Sequence, residues 1–347
     1  MENNKREIKN ICLVRLSAFG DVTLCVPVVN SIKRFLPDAN ITWIISSAGF
    51  EFLQGLPGVE FIVFKKAHGL KPYFDLYKTL KTRKFDCLLA LQASWRANLI
   101  YPLINAPIKI GFDIVRARDF QHLFTTQRIT HHPRQHHLDS YFSFLEEIGI
   151  KQRVVEWNLP IEEERLWASI FVEAIGSRIL LINPSASKDE RTPGIEKYIQ
   201  VIKEAQKRWK LHIILTGGDN QKEVKIGKMI TSEVARGISN LIGKTTIKQL
   251  AALIEKADAI ISPDTAAIHL AVAANKPVIG LYAVAPPEIT GPYMANKYLI
   301  NRFPDAVKTI LKRDPATMKW GTRVHTSKAM DLISATDIIE KLGEIFS

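Results

Sequence analysis

The chain has 347 residues, 46% hydrophobic and 24% charged, and its 47 Lys and Arg against 35 Asp and Glu leave a net charge of +12. This length is more than one ordinary core needs and predicts two domains. No apolar run reaches the roughly 18–20 residues of a bilayer span, and the first seven residues lack the apolar region of a secretory signal, so the protein is expected to stay in the cytoplasm.

Residues 11–16 are a continuous apolar run broken only by Arg15, which suits a buried parallel strand. Residues 17–21 read as a loop and 22–36 as a helix, with Pro27 at a kink or near its start. Strands follow at 41–45 and 60–64, with a short helix at 51–56 between them. A helix at 74–83, a strand at 87–91, a helix at 95–104 and a short strand at 109–111 continue the alternation. Apolar residues at 138, 141, 142, 145 and 148 form a helical stripe that stops at Gly149. The charged residues 162–165 read as a link to a second series.

That series has strands at 179–182, 211–215 and 239–242, and helices at 195–209, 221–235 and 247–256. Next comes a compact βαβ unit. A strand at 258–261 delivers Asp264 and Thr265 to a loop, a helix starts at Ala266, and a second strand occupies 277–281. In open α/β sheets such strand ends bind ligands, and the helix N-terminus favours a phosphate. A last amphipathic helix covers 335–346. The two halves share no clear sequence repeat. Two doubly wound domains with a cleft between them fit this pattern.

Cys12, Cys25 and Cys87 lie in apolar stretches without metal spacing and read as buried reduced thiols. The positive charge would suit nucleic acid, an anionic membrane surface or an anionic substrate. No nucleic-acid motif is present, and the basic clusters at 65–66, 81–84, 116–118 and 128–134 are short. Most of them read as solvated surface; the sharper reading is an enzyme working on phosphorylated lipid at the inner leaflet. His122, His131, His132, His136 and His137 have no cysteine among them and read as a basic rim, so no metal site is assigned.

The first turn, Leu16-Ser-Ala-Phe-Gly-Asp21, lacks both the dinucleotide and the Walker glycine patterns. Gly20 permits a tight turn. Asp21 falls at a helix N-terminus, where the dipole favours its carboxylate form and makes it a candidate general base. The competing reading is a plain helix cap. Ser185, Ser187, Lys188 and Arg191 follow a strand and suit a diphosphate, or else form a polar capping loop. In Thr216-Gly-Gly-Asp219, Gly217 permits close backbone approach and Asp219 could reach a ribose hydroxyl; a simple turn is the alternative. Lys244 and Thr245 could edge the base.

Together these residues resemble the lipopolysaccharide heptosyltransferases of glycosyltransferase family 9, most closely the branch that adds the first heptose to Kdo on lipid A. Val14-Arg-Leu-Ser-Ala-Phe-Gly-Asp-Val22 is similar to the family's opening R-x-S-x-x-G-D-V signature. Ser262-Pro-Asp-Thr-Ala-Ala-Ile-His269, followed by Lys276-Pro-Val278 and Gly280-Leu-Tyr282, is similar to its second signature. Gly291-Pro-Tyr293, Trp43-Ile-Ile45, Phe85-Asp86 and His137-Leu-Asp139 also agree. The resemblance runs over about residues 10–295.

The resemblance implies a GT-B fold of two Rossmann-like domains, an acceptor domain at 1–165 and an ADP-sugar domain at 166–347. The final helix is a candidate to pack back on the first domain. It implies inverting transfer from ADP-heptose to Kdo-lipid A or a related acceptor, without a tightly bound metal or other cofactor, and no nucleic-acid partner. Asp21 takes the place of the family's catalytic base. Ser185, Ser187, Lys188 and Arg191 fall in its phosphate and sugar loop. Asp264 matches the acid on the heptose hydroxyls, and Thr265, Ala266, Ala267 and His269 the diphosphate turn. Candidate acceptor residues are Ser17, Gly20, Arg96, Arg116 and Arg118, the arginines chosen from loops after strands. The chain departs from the family at Ala266, where a glycine is usual, at Glu190-Arg-Thr-Pro193, which lacks a tryptophan, and at Leu281-Tyr-Ala-Val-Ala285. Another nucleotide sugar, or a non-catalytic nucleotide-sugar binder, is the alternative. The expected location is peripheral, on the inner face of the cytoplasmic membrane.

Overall fold

The computed structural model describes residues 8–66, 69–234 and 236–347. The absence of a signal region in residues 1–7 and the final residue of the helix expected at 221–235 concern positions outside these. The chain divides into two compact units, Met1–Pro160 and Ile161–Ser347.

The first unit carries β1 (Asn10–Val14), β2 (Asn40–Ser46), β3 (Val59–Phe64), β4 (Cys87–Leu89), β5 (Ile108–Gly111) and β6 (Gln127–Arg128). They form one parallel sheet in the order β3-β2-β1-β4-β5-β6. The central strands are buried along nearly their whole length, which is why they read as unbroken apolar runs. The helices are α1 (Phe19–Phe35), α2 (Ser47–Leu53), α3 (Lys71–Leu80), α4 (Trp95–Asn98) and α5 (His137–Glu146). α1 starts three residues earlier than expected, so Phe19, Gly20 and Asp21 are its first turn and not a loop. Pro27 lies well inside this helix. The helix expected at 95–104 is only α4 plus a short 3₁₀ turn at Tyr101–Leu103. α5 ends at Glu146, before the glycine; Gly149 then takes a φ of +91° as the chain turns.

The second unit opens with α6 (Glu162–Ile175), so residues 162–165 are a helix and not a linker. Three glutamates in its first turn complement the helix dipole. Its strands are β7 (Ile179–Ile182), β8 (His212–Leu215), β9 (Ile238–Asn240), β10 (Ala259–Pro263), β11 (Val278–Tyr282) and β12 (Ile300–Asn301). Their order is β12-β11-β10-β7-β8-β9, all parallel. Read from its own first strand, this is the order of the first sheet. Two Rossmann-like sheets thus repeat in a chain whose halves show no sequence repeat.

The repeat extends to single side chains. Asp86 stands before β4 and accepts from the backbone N–H groups of Lys9 and Asn10, each at 2.8 Å. Asp258 stands before β10 and accepts from Ile179 at 2.6 Å. Each carboxylate holds the start of its unit's first strand against the fourth.

The remaining helices are α7 (Ile195–Trp209), α8 (Gln221–Glu233), α9 (Ile247–Lys256), α10 (Ala266–Ala273), α11 (Pro287–Thr290), α12 (Phe303–Ala306), α13 (Lys328–Asp331) and α14 (Ala335–Phe346). α7 buries Tyr198, Val201, Ile202 and Ala205, one helical stripe. α14 packs on α7, and its Ile338, Leu342 and Phe346 join the core of the second unit.

Candidate active site

In the first unit, strand order reverses between β1 and β4, where doubly wound sheets bind ligands. Gln92 joins the two strand ends: its Oε1 accepts from Leu16 N at 2.8 Å and Ser17 N at 3.4 Å. Arg15 emerges from β1 almost buried. Its Nη1 donates to Leu91 O at 2.7 Å, and its guanidinium lies 5.5 Å from the centre of the Tyr141 ring. Such a cation needs a partner. Asp21 supplies it, through Oδ2. Burial disfavours the Arg15 charge, but Asp21 and then Tyr141 outweigh it and raise its pKa.

The other oxygen of Asp21 faces α5. Tyr141 donates its hydroxyl hydrogen to Oδ1 at 3.0 Å, and His137 Nδ1 lies 3.3 Å from the same atom. Burial pushes the Tyr141 phenol well above its usual pKa, so it stays a donor. Asp21 is therefore held from both oxygens, in a helix first turn, and about a quarter exposed. It is a positioned carboxylate able to take up one proton.

In the second unit the corresponding reversal lies between β7 and β10. Thr265 caps α10, its Oγ1 accepting from Ala267 N at 3.3 Å. The same oxygen meets Ser262 Oγ at 2.8 Å and Asn183 Nδ2 at 3.3 Å. Asp264 pairs with Arg191 Nη1 at 2.9 Å, both largely buried. Gly218 N donates to Glu223 Oε2 at 2.7 Å, and a Cβ on Gly217 would come within 2.7 Å of that oxygen, so a larger residue there would displace the Glu223 carboxylate. Asn183 Oδ1, Ser185 Oγ, Thr216 Oγ1 and Arg191 Nε are buried here without a partner. Leaving a buried polar atom unpaired costs about 1–3 kcal/mol. A ligand rich in hydroxyl and phosphate oxygens would supply the missing contacts.

A family model described as glycosyltransferase family 9 (heptosyltransferase) matches residues 73–314. The chain belongs to this family. It is 32% identical to the lipopolysaccharide core heptosyltransferase OpsX of Haemophilus influenzae over 338 residues, 97% of each chain. Among solved structures, a family 9 glycosyltransferase from Veillonella parvula superposes with a TM-score of 0.78 at 20% identity, covering 97% of both chains. The E. coli ADP-heptose lipopolysaccharide heptosyltransferase II gives 0.74 at 16% identity, covering 97% of this chain and 98% of that one. The fold is GT-B-like.

The structure gathers some of the family 9 candidates and scatters others. Ser185, Arg191, Asp264, Thr265, Ala266 and Ala267 meet at the β7 and β10 ends. Ser187, Lys188, Asp219 and Lys244 are exposed, and Thr245 is half-buried. His269 is buried inside α10. The Thr265 hydroxyl is already engaged three ways, so its first duty is to the strand ends and the helix cap. In the first unit Ser17, Arg96 and Arg118 are exposed and Gly20 half-buried. Arg116 is committed internally: its Nε pairs with Asp113 and its Nη1 donates to Gln135 Oε1 at 2.6 Å. Burial pushes the Asp113 carboxyl up, but bonding from Arg116 outweighs it and holds it below its usual value. Arg116 thus braces this loop through Nε and Nη1, while its buried Nη2 has no hydrogen-bond partner.

Of the five histidines at 122–137, His131 and His132 are exposed, His122 and His137 half-buried and only His136 buried. His131 Nδ1 lies 3.1 Å from Asp113, and His136 caps α5 by accepting from Leu138 N at 3.1 Å. Among the described residues no three His, Cys, Asp or Glu side chains are placed to hold a metal ion. Sequence reasoning missed Gln92, Asn183 and Tyr141 as site residues. It noted Arg15 as an interruption of the strand and as part of the opening signature but gave it no role, although a lone arginine in an apolar strand calls for a nearby acid.

Proposed function

We propose that this chain transfers heptose from ADP-heptose to the lipopolysaccharide core, and that its acceptor is Kdo on lipid A, the first-heptose step. The full-length relationship to the OpsX protein carries the reading. Asp21 removes the proton from the acceptor hydroxyl, with Arg15 and Tyr141 holding its carboxylate. Ser17, Gly20, Arg96, Arg116 and Arg118 serve the acceptor side. The hydroxyl oxygen attacks the anomeric carbon, the bond to ADP breaks, and the configuration inverts. Lys188, Arg191 and the N-terminus of α10 stabilise the departing diphosphate. Asp264 holds heptose hydroxyls, with Arg191 fixing its orientation. Ser185, Ser187, Gly217, Asp219, Lys244, Thr245, Ala266, Ala267 and His269 complete the donor side.

Because the acceptor is a lipid, the enzyme works at the inner face of the cytoplasmic membrane as a peripheral protein. Among the described residues no helix is long and apolar enough to cross a membrane. The deciding experiment is release of ADP from ADP-heptose with and without Kdo-lipid A. Acceptor-dependent release, with a heptosylated product by mass spectrometry, supports the assignment. Release with another core sugar but not Kdo moves the step. No release from ADP-heptose, but release from a different ADP-sugar, overturns the donor.

A further inference from the structure

Helix α3 is apolar on two faces. Its inner face buries Pro72, Leu76 and Leu80. Its outer side presents Leu70, Phe74 and Tyr77, respectively 76%, 57% and 47% exposed. These three sit at helical spacing of four and three, so they form one stripe along the outside. An inward stripe alone would suffice to pack the helix. The outer stripe is flanked by exposed Lys71, Lys78 and Lys81, with Asp75 the one acid on this helix. Lys78 Nζ lies 4.6 Å from the centre of the Phe74 ring.

A second group of exposed apolar residues lies on the neighbouring α4 and on the segment between β5 and β6. The Tyr73 hydroxyl donates to Arg96 O at 3.2 Å and ties α3 to α4. There Trp95 is 52% exposed, with its ring centre 5.6 Å from that of Phe120, itself 57% exposed. Trp95 N donates to Asp119 Oδ2 at 2.9 Å, which fixes the pair on the loop. Leu123 follows at 68% exposed. Single exposed apolar residues are ordinary; two linked groups of them, on one unit and set among cations, form an interaction surface.

We propose that this face docks the first unit on an anionic lipid surface. Leu70, Phe74, Tyr77, Trp95 and Phe120 enter the headgroup boundary, and Lys71, Lys78 and Lys81 reach lipid phosphates. Aromatic rings and long lysine stems suit that boundary, being apolar along their length and polar or charged at the tip. Charge complementarity selects the occupant. An isologous contact with a second copy would set the same lysines against one another, whereas an anionic leaflet attracts all three. The inference rests on the reading that the acceptor is a membrane lipid, and adds where on the chain the membrane is met.

The test is co-sedimentation of the full chain with phosphatidylcholine vesicles, with and without phosphatidylglycerol. Binding is expected to the anionic vesicles only and to weaken with salt. Combining Leu70→Ser, Phe74→Ser and Tyr77→Ser is expected to lower partitioning at least about ten-fold, the loss of buried apolar area. Lys71→Glu, Lys78→Glu and Lys81→Glu together, which leave the apolar stripe intact, should lower it comparably. Both variants should keep the wild-type unfolding midpoint, and turnover of a soluble, deacylated acceptor within about two-fold of wild type, since none of the six substituted residues is assigned to the acceptor or donor. Wild-type partitioning by either variant overturns the proposal, as does equal binding to both kinds of vesicle. A concentration-dependent dimer that the serine variant abolishes, with no vesicle binding, overturns it in favour of a second copy. Vesicle binding without turnover of any heptose acceptor leaves the docking face standing and sinks the transfer reading instead.

Discussion

The guanidinium of Arg15, at the end of β1, is paired with the carboxylate of Asp21 in the first turn of α1. The pair explains how an arginine survives in an apolar strand. It also means that the proposed base does not swing freely, since Tyr141 and His137 grip its other oxygen. Orientation of a base is part of its rate advantage.

Asp21→Asn keeps the side chain's shape and removes the ability to take a proton, while its single amide oxygen can accept from only one of Arg15 and Tyr141. Turnover is expected to fall by about 10²–10⁴. ADP-heptose affinity, measured by calorimetry, should stay within about two-fold, because the substitution lies in the other unit from the donor residues. A mutant that retains more than half of wild-type turnover removes Asp21 from the role of base.

Asp264→Ala should weaken ADP-heptose more than ADP. It deletes the carboxylate proposed to hold sugar hydroxyls and leaves Arg191 without that ion pair. A hydrogen bond to a charged group contributes about 1.5–3 kcal/mol, so donor affinity is expected to drop by about ten-fold or more. Equal losses for the two ligands would show that the acid holds the nucleotide.

Chelation should leave most activity in place. Lys188, Arg191 and the α10 N-terminus can stabilise a departing diphosphate electrostatically. The measurement is initial rate in excess EDTA against rate with added magnesium. Full loss on chelation, restored by the metal, would mean that an ion carries this charge and that its ligands have been misassigned.

The thiols should be silent in the folded protein. All three cysteines are free and buried, as their apolar surroundings predicted. Burial raises Cys12 and Cys25 above their ordinary 9.0 and pushes Cys87 up to about 12. A thiol reagent at pH 8 should find none without denaturant and three with it. Burial raises Tyr101, Tyr141, Tyr198 and Tyr282 in the same direction. The folded state thus keeps protons that the unfolded chain releases. Stability from these groups is complete below pH 9 and falls as pH climbs through 9 and 10 towards the folded values. Urea midpoints that rise over this range would contradict the burial.

The sequence alone determined the alternation of strands and helices, because a parallel strand covered on both faces must be apolar throughout. β7 falls at its expected bounds for this reason, and α7, α9 and α14 fall at theirs because each buries an apolar stripe of helical period. It also marked Asp21, Asp264 and Thr265, since a polar residue between an apolar strand and a helix lies at the sheet's binding edge. Local pattern failed where local and tertiary demands differ. α6 was missed because its first turn is all charge and only Ala168 is fully buried in it; charge there serves the helix dipole, not a linker. Arg116 and Arg118 look alike in the chain. Only the fold brings Asp113 and Gln135 to the first and leaves the second exposed. Tyr141 lies on a stripe that reads as plain core, and Asp21 is 120 residues away from it. Such contacts join distant segments through the crossovers of the sheet, and no periodicity within one segment records which partner the crossover will deliver.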